Sequence, residues 1–225
     1  KANVISPWEA MNKQGSDAVR WYFYTGSAPW LPSRFYDEAV SESQRKFMGT
    51  LWNTYAFYIL YAEIDQFDPH DASWPAPVYT CMDRWVQSKL QSLVQFVTTE
   101  LDQYHITEAA RAIAGFVDEL SNWYVRRSRD RFWGGERTAD KSAAYRTLYQ
   151  VLETLTRICA PFVPFMTESM YQNLVRSVDS SAPESVHLTT WPDVNLAAID
   201  KDLEAQMETA LQLVVLGRSA RNAAK

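Results

Sequence analysis

Histidine and cysteine are scarce, three and two in 225 residues. His70 falls in a proline-rich loop, His105 between two helical stretches and His187 in a candidate extended segment, none beside an acid or nucleophile. Cys81 and Cys159 lack the paired spacing of a metal knuckle, and two lone thiols suit a reducing compartment. No Gly-rich phosphate loop is present; Gly134-Gly135 reads as a helix stop. A catalytic centre needs convergent titratable groups, so the residues alone point to a helical binding module with no catalytic, cofactor or metal residues. No apolar run approaches the roughly 20 residues of a membrane span. Lys1 leads into Ala-Asn-Val-Ile without the apolar core of a signal peptide. A soluble, cytoplasmic protein with no membrane partner is expected. Internal repeats and low-complexity runs are also missing.

What is present is helical periodicity, rich in Tyr, Phe and Trp. Ser6-Pro7-Trp8-Glu9 predicts a capped helix start after a minimal extended piece at Val4-Ile5, Gly15 closes that helix, and Ser16 or Asp17 opens another to about Thr25. From Asp37, apolar stripes predict helices over about 38–64, 82–104 and 141–159 and another capped by Thr107. Residues 65–79 predict a structured loop. Pro161 and Pro164 break the chain before a short helix over about 165–175, and a final helix runs from Asp200. Val186-His-Leu188 reads as extended. The fold expected is all-α: an antiparallel up-and-down helical bundle over 37–176, a small N-terminal adaptor over 1–36 and a C-terminal appendage over 177–225. Both ends read as cuts in a longer chain.

One stretch stands apart, Asn122-Trp-Tyr-Val-Arg-Arg-Ser-Arg-Asp-Arg-Phe-Trp133. Ile113, Val117, Leu120 and Tyr124 form a stripe whose regular continuation carries Arg127 and Arg131, with Arg126 and Arg129 off its side. Residues 121–137 hold five arginines against Asp130 and Glu136, a local +3 on a chain of net charge −5. Two readings follow. Asp130 lies within helical pairing reach of Arg126 and Arg127, which gives a solvated, self-paired helix end. Arginines interleaved with aromatics also suit single-stranded loops of RNA, with charge for phosphates and flat faces for unstacked bases.

Several motifs resemble a known family. Asn3-Val-Ile-Ser-Pro-Trp-Glu9 with Gly15-Ser-Asp-Ala-Val-Arg-Trp21 resembles the segment after the lysine-methionine-serine-lysine-serine loop of class I aminoacyl-tRNA synthetases. Arg45-Lys-Phe47 with Leu51-Trp-Asn53, and Ala160-Pro-Phe-Val-Pro-Phe165, resemble signatures of the isoleucine, valine and leucine enzymes. The arginine stretch and Gly217-Arg-Ser-Ala-Arg-Asn222 are similar to the isoleucine type, the latter in particular to its longer, eukaryote-like branch. The resemblance implies a stem-contact linker followed by an anticodon-binding domain. Its intact protein would charge an isoleucine tRNA, using ATP and magnesium held elsewhere in the chain, so that this segment alone should not catalyse aminoacylation. The implied partners are tRNA and the preceding catalytic domain, in a monomer. Candidate tRNA contacts are Arg126, Arg127, Arg129, Arg131 and, as a stacking platform, Trp133, with Arg45 and Lys46 as added phosphate contacts. Trp52 and Asn53 are expected to hold helices together. The alternatives are a structural bundle that binds no RNA and the same domain of a valine-specific enzyme.

Overall fold

The computed structural model describes residues 6–28, 30–32 and 35–223; the Val4-Ile5 reading lies outside them. Pro7 supplies the first turn of α1 (Pro7–Gln14) with its fixed φ. The Ser6 side chain makes no cap bond, so the expected box with Glu9 does not form. Gly15 ends α1 at φ +87°, a value that glycine adopts without strain, and its N–H reaches the Met11 carbonyl. Helix α2 (Ser16–Gly26) follows directly.

The bundle proper has four long helices. Helix α3 covers 37–65 and contains a π-helical stretch, Gln44–Gly49, between Asp37–Ser43 and Thr50–Asp65. Helix α4 (Cys81–Asp102) starts on a full capping box between Thr80 and Asp83. Helix α5 covers 106–132 with a second π-helical stretch at Leu120–Val125. His105 occupies its N-cap position, and Thr107 is a buried helical residue rather than the cap. Helix α6 (Ala139–Cys159) is capped by Thr138 and carries the most buried face of the molecule. Tyr58 meets Tyr149 while Asp65, two turns further on, pairs with Lys141, so α3 and α6 run opposite ways. Rings from α3, the 66–80 loop, α5 and α6 fill one end. Phe67 stacks on Tyr145 at 4.6 Å, and Phe132 stands edge-on to it at 4.9 Å. Burial of such rings is the main stabilising term.

Both flanking segments enter this core. Trp21 of α2 stacks on Phe47 at 3.6 Å, and Val186 is also buried. The segment around Val186 is a single 3-10 turn, Val186–Leu188, because Ser185 caps it and turns the chain instead of extending it. Helix α7 covers 164–176 (Pro164–Tyr171 and a π-helical end, Gln172–Arg176), and α8 (Lys201–Ala223) docks on α4 through Glu204, which accepts from Ser88 and Ser92. Trp52 and Asn53 are exposed and hold no helices together; the turn of α3 points them outward.

The break between α6 and α7 is closed by α2. The Asp17 carboxylate accepts from the N–H groups of Phe165 and Met166 (3.4 and 2.8 Å), at the start of α7. Arg20, one turn along, donates to the carbonyls of Pro161 and Phe162 (2.7 and 3.3 Å). An aspartate expected to open its own helix therefore caps another one. Burial pushes its carboxyl above the usual range, against the pull of those N–H donors and of Arg20. Asp17→Ala is expected to lower unfolding free energy by about 1 kcal/mol, and Asp17→Asn, which keeps one acceptor, by less. Urea unfolding of the three proteins gives the order; an alanine variant as stable as the parent would remove the capping role.

Candidate nucleic-acid interface

The π-helical stretch in α5 decides which arginines face out. It inserts about one residue into the helix and turns everything after it by about 100°. The buried stripe consequently runs from Leu120 and Tyr124 to Ser128 and Phe132, not to Arg127. Arg126, Arg127 and Arg129 are exposed. Arg127 lies over the Trp123 ring at 5.4 Å from its centroid, a cation–π contact that holds its stem against the helix. Among the described residues, Arg126 and Arg129 have no carboxylate or carbonyl partner, and Asp130 pairs with none of the three. The self-paired helix end is not what forms.

Arg131 behaves differently, and the expectation of an RNA contact is corrected here. It turns inward and binds the fully buried Asp83 with two parallel bonds of 2.8 and 2.9 Å. Asp140 takes two more donors, Nε at 3.0 Å and an NH2 group at 2.8 Å. Burial disfavours the charged guanidinium, but Asp83 and Asp140 outweigh it and raise its pKa. Four of its five donors are thus directed into the fold. Lys141 adds a second anchor. Nearly buried, it pairs with Asp65 at 2.5 Å and donates to the Gly134 carbonyl, just past the end of α5 where Gly134 takes φ +105°. Asp83, Asp140 and Lys141 carry the arginine face although no sequence argument singled them out. The Thr80-x-x-Asp83 spacing before an apolar run was the one signal available for Asp83.

Trp133 is 54% exposed, and its indole N–H donates to the Tyr61 hydroxyl at 2.9 Å, which fixes the ring while leaving much of it open. Arg45 and Lys46 project from the π-helical stretch of α3; Lys46 pairs with Glu42 at 2.7 Å, and Arg45 is exposed without a carboxylate partner. They stand near Arg111 of α5, in a groove whose lining includes none of Arg126, Arg127 and Arg129. Among the described residues no three His, Cys, Asp or Glu side chains converge as metal ligands.

This helical bundle shares its fold with part of two solved aminoacyl-tRNA synthetases. The Agrobacterium radiobacter K84 LeuRS–tRNA–LeuAMS ternary complex superposes with a TM-score of 0.64 at 18% identity, covering 88% of this chain and 22% of that one. The Mycobacterium tuberculosis methionyl-tRNA synthetase bound to methionyl-adenylate gives 0.62 at 16% identity, covering 83% and 40%. The family model described as the anticodon-binding domain of tRNA ligase matches residues 83–225, and the chain belongs to that family. Its relatives include isoleucine–tRNA ligases of Clostridium kluyveri (58% identical), Dehalococcoides mccartyi (49%) and Bacillus thuringiensis (46%), all bacterial. Each alignment covers 99–100% of this chain but only 21–22% of the relative, so the chain spans about a fifth of their length.

Proposed function

We propose that this bundle binds the anticodon stem-loop of an isoleucine tRNA, within a protein that uses ATP and magnesium to charge that tRNA with isoleucine. The observation that carries the reading is the unpaired state of Arg126, Arg127 and Arg129 beside an available Asp130, on a chain of net charge −5 in an anticodon-binding family. Free guanidinium groups on a rigid helix bind phosphates without first breaking ion pairs, and they stack on or hydrogen-bond to unstacked bases. Trp133 offers a further face for a base, and Arg45 and Lys46 supply charge for phosphates away from it. Arg131 is excluded from the contacting set because its donors are spent on Asp83 and Asp140. The isoleucine assignment draws on the likeness to the three ligases named above, and the valine alternative has no observation in its favour. Residues 1–36 then serve as the linker from a preceding catalytic domain, and 37–176 as the anticodon reader of a monomeric, cytoplasmic enzyme.

Binding of the 225-residue chain to an isoleucine tRNA transcript, over a salt series and beside a transcript with an altered anticodon, tests this. Salt-sensitive binding that weakens with the altered anticodon is expected. Equal affinity for both would reduce the site to a backbone grip, and no binding at low salt would sink the proposal.

A further inference from the structure

Gly115 has no packing reason to be glycine. It lies inside α5, where glycine weakens a helix relative to alanine. Its φ is not in the left-handed region, and no heavy atom stands within 4 Å of the place a Cβ would occupy. It is exposed and lines an open groove of about 590 Å³ between α2, α3 and α5. Arg45 and Lys46 line the α3 side of that groove, Arg111 the α5 side, and the stacked Trp21 and Phe47 lie between. Arg111 donates to the carbonyls of Thr25 and Gly26 (3.0 and 2.9 Å), which fixes its guanidinium at the rim. The opposing charge in the groove is Asp118, whose carboxylate accepts from Asn122 at 2.8 Å.

The groove is continuous with the arginine face. Arg111, Gly115, Asp118 and Asn122 recur at helical spacing on the exposed side of α5, and the extra residue of the π-helical stretch brings Arg126 into the next position of that row. From Gly115 to Arg126 the helix rises about 16 Å, a few nucleotides' length.

We propose that the RNA strand gripped by Arg126, Arg127 and Arg129 continues along α5 into this groove, its sugar-phosphate backbone crossing directly over Gly115 with Arg45 and Arg111 on its phosphates. The inference rests on the RNA-binding reading above and adds a path and a direction to it. A side chain at 115 would occupy the space the backbone uses, while the helix itself would gain from losing a glycine. Fold and binding are thereby pulled in opposite directions by one substitution.

The experiment measures unfolding midpoint and tRNA affinity for Gly115→Leu and Gly115→Ala, beside Arg45→Gln and an Arg126/Arg127/Arg129→Gln variant. Both glycine variants should unfold about 2–4 °C higher. Gly115→Leu should bind the isoleucine tRNA transcript at least fivefold more weakly, with Gly115→Ala between it and the parent. Arg45→Gln should reduce the slope of log affinity against log salt by about 0.7–0.9, the loss of one phosphate contact. If Gly115→Leu binds like the parent while the triple variant loses binding, the path over Gly115 is wrong and the RNA-binding reading survives. If the triple variant also binds like the parent, both fall together. A drop in midpoint for Gly115→Ala would show that the glycine serves the fold, which also overturns the proposal.

Discussion

Asp83→Ala is expected to cost about 3–5 kcal/mol and to lower the unfolding midpoint by on the order of 10 °C. Asp83 is fully buried, and five donors converge on it: two from Arg131, the Tyr124 hydroxyl at 2.7 Å, and the N–H and hydroxyl of Thr80, each at 2.8 Å. Truncation leaves a largely buried guanidinium with only Asp140, takes away the acceptor of the Tyr124 hydroxyl and removes half of the capping box that starts α4. Those losses come mainly from stranded partners, so the double variant Asp83→Leu with Arg131→Met should recover part of the stability, and a double-mutant cycle measures the coupling. A single variant that unfolds within 2 °C of the parent would contradict the account. The same group gives an acid signature. Burial alone would push its carboxyl up, but Arg131, Tyr124 and Thr80 outweigh it and hold the pKa below the ordinary 3.8. A carboxyl depressed by folding contributes stability in full above its unfolded value and loses it as pH falls through the folded one. The parent should therefore lose stability more steeply than Asp83→Asn below about pH 4, with the curves parallel above about pH 5.

The triple variant Arg126→Gln, Arg127→Gln, Arg129→Gln is expected to leave the fold alone and to lower tRNA affinity by at least tenfold at about 0.15 M salt, with the salt slope reduced by about 2–3. None of the three makes an ion pair within the chain, so the midpoint should stay within a degree or two; only the contact of Arg127 with Trp123 is lost. Arg131→Gln should do the reverse, unfolding the protein early because Asp83 is stranded. Filter binding and thermal melts on the same preparations separate the two. Equal loss of affinity in both at a temperature where both are folded would mean that Arg131 touches RNA after all, and unchanged affinity in the triple variant would move the interface elsewhere.

The contrast between these arginines marks where the sequence stops being readable. Four amphipathic helices, their order and the break at Pro161 and Pro164 follow from periodicity and start–stop chemistry, which are local. Whether Arg127 faces out depends on a single extra residue in the helical ladder at Leu120–Val125, and a regular stripe carried through that stretch puts Arg127 on the core side together with Arg131. The aspartates that hold Arg131 are 48 and 9 residues away from it, and a carboxylate at either distance reads as a solvated surface charge until the helices are assembled. Asp17 is a similar case: it sits where a cap for its own helix belongs, and only the packed bundle reveals that it serves the start of α7. Gly115 was visible as a letter throughout, but its meaning depends on the emptiness around it, which periodicity does not describe.

The clamp that α2 places on the helix break has a bearing on how the chain is made. Asp17 and Arg20 find their partners between 141 and 149 positions downstream. At about 5–20 residues per second, a ribosome takes roughly 7–30 s to cover that distance. Until then α1 and α2 are held only by nearer partners, Phe47 against Trp21 and Arg111 on the carbonyls of Thr25 and Gly26, while the carboxylate of Asp17 and the guanidinium of Arg20 wait for theirs. The helices that clamp the break are thus made well before the break itself, and a holding factor that engages the nascent chain would have its opportunity in that interval.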